Sequence, residues 1–250
     1  MADYSIHNIS TVELEDAFGK DHCPVCRVIR ENIEKYLWNL FYAFTSDPET
    51  HQNFKKSLGL CSQHSQLAVK IIRAGTSLSG TSMALLYETT IPYYLKKLDK
   101  VGRPTFGLLN WLSSLWDKEI STSQEIFSKK PCPACRIEGQ NRRMTISILA
   151  DMLNKEEYRK LYQKSDGLCQ PHFEALIKQF KTAKEGQLIT SFLVSEQKDR
   201  LELLKRRLGE LRRKKKHDVT EEVTKEEARS WEEAVWRFSG WEPPGLLTRE

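Results

Sequence analysis

Long apolar runs are missing from this 250-residue chain. Nothing approaches the roughly 20 consecutive apolar residues that cross a bilayer, so no membrane span is expected. No leader is expected either, because MADYSIHNIS has neither a basic n-region nor an apolar h-region. The expected compartment is therefore cytoplasmic, where thiols stay reduced. Cysteine is scarce, with six residues in all. In a small secreted protein an even number suggests disulfides, but in a reduced compartment it points to metal. A phosphate-binding glycine loop, a nucleophile elbow and a convincing carboxylate pair are all absent. No catalytic residue is expected, and the protein reads as a non-enzyme.

What is present begins with charge. Apolar residues make up 39% and charged residues 29%, a balance that suits a soluble chain. The length allows one large domain or two small ones with real cores. The net charge of +5 is modest, yet it is unevenly spread. Residues 198 to 216 hold ten Lys or Arg against Asp199, Glu202 and Glu210. Residues 218 to 250 hold nine acids against four bases. The two stretches adjoin and nearly cancel.

The six cysteines fall into a repeat. HCPVCR at residues 22 to 27 is matched by PCPACR at residues 131 to 136. GLCSQH at residues 59 to 64 is matched by GLCQPH at residues 167 to 172. Each copy therefore reads Cys-Pro-x-Cys, a long spacer, then Gly-Leu-Cys-x-x-His. The first copy carries Cys23, Cys26, Cys61 and His64; the second carries Cys132, Cys135, Cys169 and His172. The offset is 109 residues at the knuckle and 108 at the second pair, which marks an internal duplication. The expected grouping is one complete ligand set within each copy.

The local pattern is helical throughout. Ile29, Ile33, Leu37, Leu40 and Phe44 recur at helical spacing after the first knuckle. Ile137, Met144, Ile148 and Met152 do so after the second. A second helix is expected to start near Asp47-Pro48 in one copy and near Asn154 in the other. Both should end at a glycine, Gly59 or Gly167, that accepts left-handed backbone. Each Cys-x-x-His then lies in the first turn of a third helix, where residues three apart share a face.

Zinc prefers thiolate and imidazole in a closed tetrahedral site, and Cys3His is a standard structural set. A helix N-terminus also favours the thiolate form of Cys61 and Cys169. Two zinc ions are the expected cofactors, and two iron–sulfur clusters are the alternative, because clusters also take Cys and His ligands. A thioredoxin-type redox pair is disfavoured, because no strand pattern surrounds either knuckle. Buried, unliganded cysteines would leave the repeated spacing unexplained. Four protein ligands leave no open position for water or substrate, which argues against metal hydrolysis. His22 stands where the second copy has Pro131, so it lies outside the shared ligand set; His7, His51 and His217 have no counterparts either.

With these eight residues the chain resembles an uncharacterised prokaryotic family of helical proteins, a domain of unknown function. The resemblance covers most of residues 20 to 240. It is strongest at the two CPxC and GLCxxH motifs and weaker at SWEEAVWRFSGW, where the family tends to a Ser-Trp, Ala and Gly ending. It implies a metal-binding, all-helical protein and brings no activity with it. Two features stand apart from the family pattern: FGLLNWLSSLW and the long basic helix.

Taken together, the expected fold is all-α and pseudo-duplicated, each unit organised around a CxxC…CxxH metal site. Residues 1–103 hold the first unit, 104–129 a connector, 130–217 the second unit with the long basic helix, and 218–250 an acidic helix and tail. Two helices separated by Gly75 follow the first site, the second containing Pro92. In the connector, Leu108, Leu109, Leu112, Leu115 and Trp116 suggest one apolar helix face. A helix from about Gln187 to Lys216 carries Leu201, Leu204, Leu208 and Leu211 at heptad-like spacing. Its RRKKK end suits phosphate contact, but pairing with the acidic segment is preferred. Thr224 with Glu227 forms a capping-box start for the final helix, Ala228, Trp231, Val235 and Phe238 should supply its buried face, and Gly240 should stop it. The expected function is that of a binding or scaffold protein. The alternatives are an iron–sulfur electron-transfer or redox-sensing protein and a zinc-stabilised nucleic-acid binder. A protein partner is open, nucleic acid is less favoured, and no oligomeric state follows.

Overall fold

A computed structural model describes residues 11–74, 78–101, 130–180 and 186–240. Among them every regular element is a helix. In chain order these are α1 (Thr11–Phe18), α2 (Pro24–Ala43), α3 (Pro48–Ser57), α4 (Ser62–Arg73) and α5 (Gly80–Val101), then α6 (Pro133–Leu153), α7 (Glu156–Lys164), α8 (Gln170–Phe180), α9 (Gly186–Lys214) and α10 (Lys225–Ser239). The run α2–α3–α4 is repeated as α6–α7–α8, so the duplicated sequence folds into duplicated helices. The apolar connector and Gly75 lie outside the described residues. None of the described helices is long and apolar enough to cross a membrane.

Helix boundaries follow local chemistry. Both knuckle helices begin at the proline of Cys-Pro, whose fixed φ suits a first helical position and which lacks only a donor that would go unused there. At α3, Asp47 caps the start by accepting from Thr50 N at 2.8 Å. Its counterpart α7 starts two residues after Asn154, with Lys155 at the cap position and no side-chain cap. The acidic first turn of Glu156 and Glu157 supplies the charge that a helix N-terminus attracts.

Gly59 and Gly167 adopt φ values of 90° and 78°, as their positions require. Gly59 follows Leu58, itself left-handed at φ 56°, which forms the actual cap of α3. Gly167 lies beyond the extended cap residue Ser165 of α7. Both glycines also admit a close neighbour. A side-chain carbon at Gly59 would lie 2.5 Å from Tyr87 Oη, and one at Gly167 would lie 2.9 Å from Arg200 Nε.

The chain divides into two compact units that do not follow the repeat. Among the described residues, one combines 11–32 with 139–240 and the other runs from 33 to 138. The helices α2 and α6 each begin in one unit and end in the other.

In the discontinuous unit the core includes Leu14, Leu149, Leu153, Tyr162, Leu168, Leu176 and Leu193, all fully buried. The Tyr162 ring meets Phe18 and Phe192 edge-on, with centroids 6.3 and 6.1 Å away. Burial holds its phenol at about 12. In the other unit Leu37, Leu40, Phe41, Phe54, Ile71 and Leu86 are buried, and α3 packs on α5. Pro92 sits inside α5 without ending it.

Two expected faces are corrected. The buried stripe of α6 centres on Ile146, Leu149 and Leu153; of the expected set only Met152 is buried, while Ile137, Met144 and Ile148 are half-buried flanks. On α10 the expected face is inverted. Trp231, Val235 and Phe238 are 56%, 60% and 59% exposed, whereas Ser230, Trp236 and Arg237 are buried. The capping box itself is present, with Thr224 Oγ1 accepting from Glu227 N and Glu227 accepting from Thr224 N.

The reason for the inversion is electrostatic. The buried face carries the groups that pair with α9: Arg207 with Glu233 at 3.3 Å and Lys214 with Glu227 at 2.9 Å. Just before α10, Glu221 pairs with Arg213 at 2.6 Å. The Arg237 guanidinium stacks 4.6 Å from the Trp236 ring centre and pairs with Glu233 at 2.8 Å. A hydrophobicity pattern cannot register a face built on an arginine. The basic and acidic stretches therefore do meet, as their adjacency suggested.

Candidate metal centres

Four cysteines occupy one structural position. The carbonyls of Cys23, Cys61, Cys132 and Cys169 accept from the backbone N–H four residues on, at 3.2, 2.9, 3.2 and 2.9 Å. Each therefore stands at the N-cap of its helix, α2, α4, α6 or α8. The partner three residues on, Cys26, His64, Cys135 or His172, projects from the same first turn. Every ligand pair thus sits at a helix N-terminus, where the free N–H groups carry about half a positive charge and stabilise thiolates.

Two such N-termini meet at each site. At site 1, Cys23, Cys26, Cys169 and His172 bring one donor atom each to within 4.8 Å of one another. At site 2, Cys61, His64, Cys132 and Cys135 do the same. All eight expected residues are gathered, but not in the expected groups. Each knuckle joins the Cys-x-x-His of the other copy. The one-set-per-copy grouping is therefore corrected. Spacing within a copy allowed either arrangement, and the long segments between the motifs carry no signal that distinguishes them.

The separations test whether an ion fits. Tetrahedral bonds of about 2.3 Å to sulfur and about 2.0 Å to nitrogen place ligand atoms roughly 3.5–3.8 Å apart. At site 1, Cys26 Sγ lies 3.7 Å from Cys169 Sγ, and His172 Nδ1 lies 3.5, 3.4 and 3.1 Å from the sulfurs of Cys23, Cys26 and Cys169. At site 2, Cys135 Sγ lies 3.3 Å from Cys132 Sγ and 3.6 Å from Cys61 Sγ. His64 Nδ1 lies 3.1, 3.5 and 3.4 Å from Cys61, Cys132 and Cys135. Both sets have the dimensions of one tetrahedral ion, with histidine facing it through Nδ1.

The electrostatics point the same way. Bonds from the Cys23 and Cys26 thiols depress Cys169 strongly, against the opposing effect of burial. Burial, reinforced by its sulfur neighbours, pushes Cys23 up. At site 2, burial pushes Cys61 up, but the His64 backbone N–H and the Cys135 and Cys132 thiols outweigh it and bring it down. Cys135 rises to about 12 through burial and its neighbours Cys132 and Cys61. In both sites the cysteine of the Cys-x-x-His pair is held down while a neighbouring thiol is pushed up. Three thiolates at this spacing need a cation.

The DUF6062 family profile matches the chain twice, over residues 7–123 and 114–232. The chain belongs to this family of unknown function. Each DUF6062 match contains one knuckle and one Cys-x-x-His, so neither contains a complete site. No curated protein and no solved structure matches the chain.

Glu138 escaped sequence reasoning, and the placement of Gly240 and His22 near site 1 did too. Glu138 Oε2 lies 3.5 Å from His64 Nε2, the nitrogen facing away from the sulfurs. That is the carboxylate–histidine arrangement that orients a ligating imidazole. Its signal was present, since Glu138 lies one helical turn after Cys135, but the same place in the first copy is Ile29. Gly240, with φ 87°, ends α10 against site 1; a side-chain carbon there would lie 4.0 Å from both Cys26 and Cys169 sulfurs. His22, outside both ligand groups, holds φ 72° and donates its backbone N–H to Asp166 at 2.6 Å. Its ring meets Trp236 edge-on, with centroids 5.3 Å apart. Of the remaining histidines, His51 bonds Thr89 at 2.8 Å, His217 is exposed, and His7 lies outside the described residues.

Proposed function

We propose that the protein is a cytoplasmic helical binding or scaffold protein held together by two structural zinc ions. The observation that carries this reading is the set of ligand separations. Donor atoms no more than 4.8 Å apart enclose a single ion, whereas a multi-iron cluster spreads its ligands over several metal atoms. Cys23, Cys26, Cys169 and His172 would hold one ion, and Cys61, His64, Cys132 and Cys135 the other. Four protein ligands close the coordination sphere, so the ion contributes folding free energy rather than a reacting water.

Pairing of Arg207, Arg213 and Lys214 with carboxylates disfavours the basic helix as a nucleic-acid surface. Elemental analysis of protein purified anaerobically without chelators tests the proposal, with two zinc ions per chain expected. Iron with inorganic sulfide would overturn zinc in favour of clusters, and one ion or none would overturn the two-site reading.

A further inference from the structure

The two sites share a ligand set but differ in their surroundings. At site 1, Cys23 and Cys169 are 0% exposed, with Cys26 at 7% and His172 at 6%. The end of α10 closes over it, with Trp236 and Arg237 buried and Gly240 backed against two of its sulfurs. At site 2, Cys132 and His64 are buried, but Cys61 and Cys135 are only half-buried. Solvent therefore reaches two thiolates of site 2 and is largely kept from all three of site 1. With an ion bound, all three cysteines of each site are thiolates, so exposure decides which of them oxidise.

Resting on the two-ion reading above, we propose that site 1 is a permanent element of the fold and site 2 is a peroxide-responsive thiolate centre. Cys135 is the attacking group. It is half-buried, so solvent reaches it, and it has two sulfurs within reach, Cys132 at 3.3 Å and Cys61 at 3.6 Å. Its thiolate attacks the O–O bond of hydrogen peroxide. An S–O bond forms, the O–O bond breaks, and hydroxide leaves. A neighbouring thiolate then attacks the sulfenic sulfur, forming an S–S bond and displacing a second hydroxide. Two protons from solvent turn the hydroxides into two waters. The sulfurs lose two electrons, and the peroxide gains them.

The step removes two of the three thiolates and leaves one cysteine and His64, a set too weak to retain a divalent ion. Oxidation would thus loosen the unit formed by residues 33 to 138, while the other unit keeps its ion. A thiol reductant reverses the disulfide.

The test uses the full-length protein with its ion content measured first. Fewer than two ions per chain would overturn the two-ion reading and the proposal together. Peroxide is then titrated in, metal release is followed with a coloured chelator, and cysteines are alkylated before and after reduction and mapped by peptide mass spectrometry. One ion should leave faster than the other, on the order of tenfold. Cys135 should be reversibly oxidised with Cys61 or Cys132, while Cys23, Cys26 and Cys169 stay intact. Equal release from both sites, earlier release from site 1, no release, or release without reversible oxidation of Cys135 would each overturn the proposal while leaving the two-ion reading standing.

Discussion

Serine replacements made in pairs discriminate the exchanged ligand grouping from the simpler one. Cys23 and Cys169 share site 1, whereas Cys23 and Cys61 belong to different sites. Each single replacement should reduce the ions per chain from two to one. The double replacement Cys23→Ser/Cys169→Ser should still hold one ion, because both changes strike the same site. Cys23→Ser/Cys61→Ser should hold none. A ligand set confined to each copy would reverse those two results. The energetics are as distinct. An ion present at a thousandfold excess over its dissociation constant stabilises the fold by about 4.1 kcal/mol. Losing site 1 therefore costs about 4 kcal/mol once, and the second replacement in that site adds little, for an interaction energy near −4 kcal/mol. Replacements in different sites should add to about 8 kcal/mol, comparable with the whole stability of many domains. Native mass spectrometry counts the ions, and urea unfolding at fixed free zinc gives the energies. Two sites that empty independently for Cys23→Ser/Cys169→Ser would refute the exchanged grouping.

Gly167→Ala should destabilise the protein by roughly 1–2 kcal/mol from left-handed backbone alone, because φ is 78° there. It should also displace Arg200, which bonds the carbonyls of Tyr162, Gln163 and Ser165; an unchanged urea midpoint would contradict this account. Replacing Glu221, Glu227 and Glu233 together by Gln should release Lys214 and Arg207 from their carboxylates and leave Arg213 only Glu210, 2.7 Å away, and polyanion binding should then appear and fall steeply with salt. Equal binding by the parent protein would show that the basic helix is not held by pairing. The capping bond from the Thr224 N–H and the Lys214 partner keep Glu227 below the usual glutamate range, so its contribution is present above that range and lost as pH falls through the depressed value. In the parent protein α10 should loosen on acidification, and a Glu227→Gln variant should show less of that pH dependence.

The helical fold and the eight Cys and His residues that cluster were legible because they rest on short-range rules. Cys-Pro sets a helix start, Gly59 and Gly167 mark left-handed turns, and Thr224 with Glu227 makes a capping box. Each of these is decided within a few residues. Which knuckle meets which Cys-x-x-His was not legible, because that choice is made between segments more than sixty residues apart in the chain. The face of α10 was misread for a different reason. Arg237 and Ser230 are buried through hydrogen bonds and ion pairs, while Trp231 and Phe238 point outward, so apolarity alone marked the wrong side. Glu138 and Gly240 depend on three-dimensional proximity to a site whose composition had first to be known.

The exchanged grouping also sets an order of events during synthesis. In sequence the ligands of site 2 lie wholly inside the span bounded by those of site 1, like one pair of brackets within another. The inner pair can close once Cys135 has left the ribosome. The outer pair must wait for His172, by which time Cys23 and Cys26 have been exposed for about 7–30 s at ordinary elongation rates. Closing the inner pair first shortens the effective loop that the outer pair must close, and so lowers its entropic cost. The earliest thiols made are thus the last to be protected, and their safety depends on a cell that keeps a nascent chain reduced.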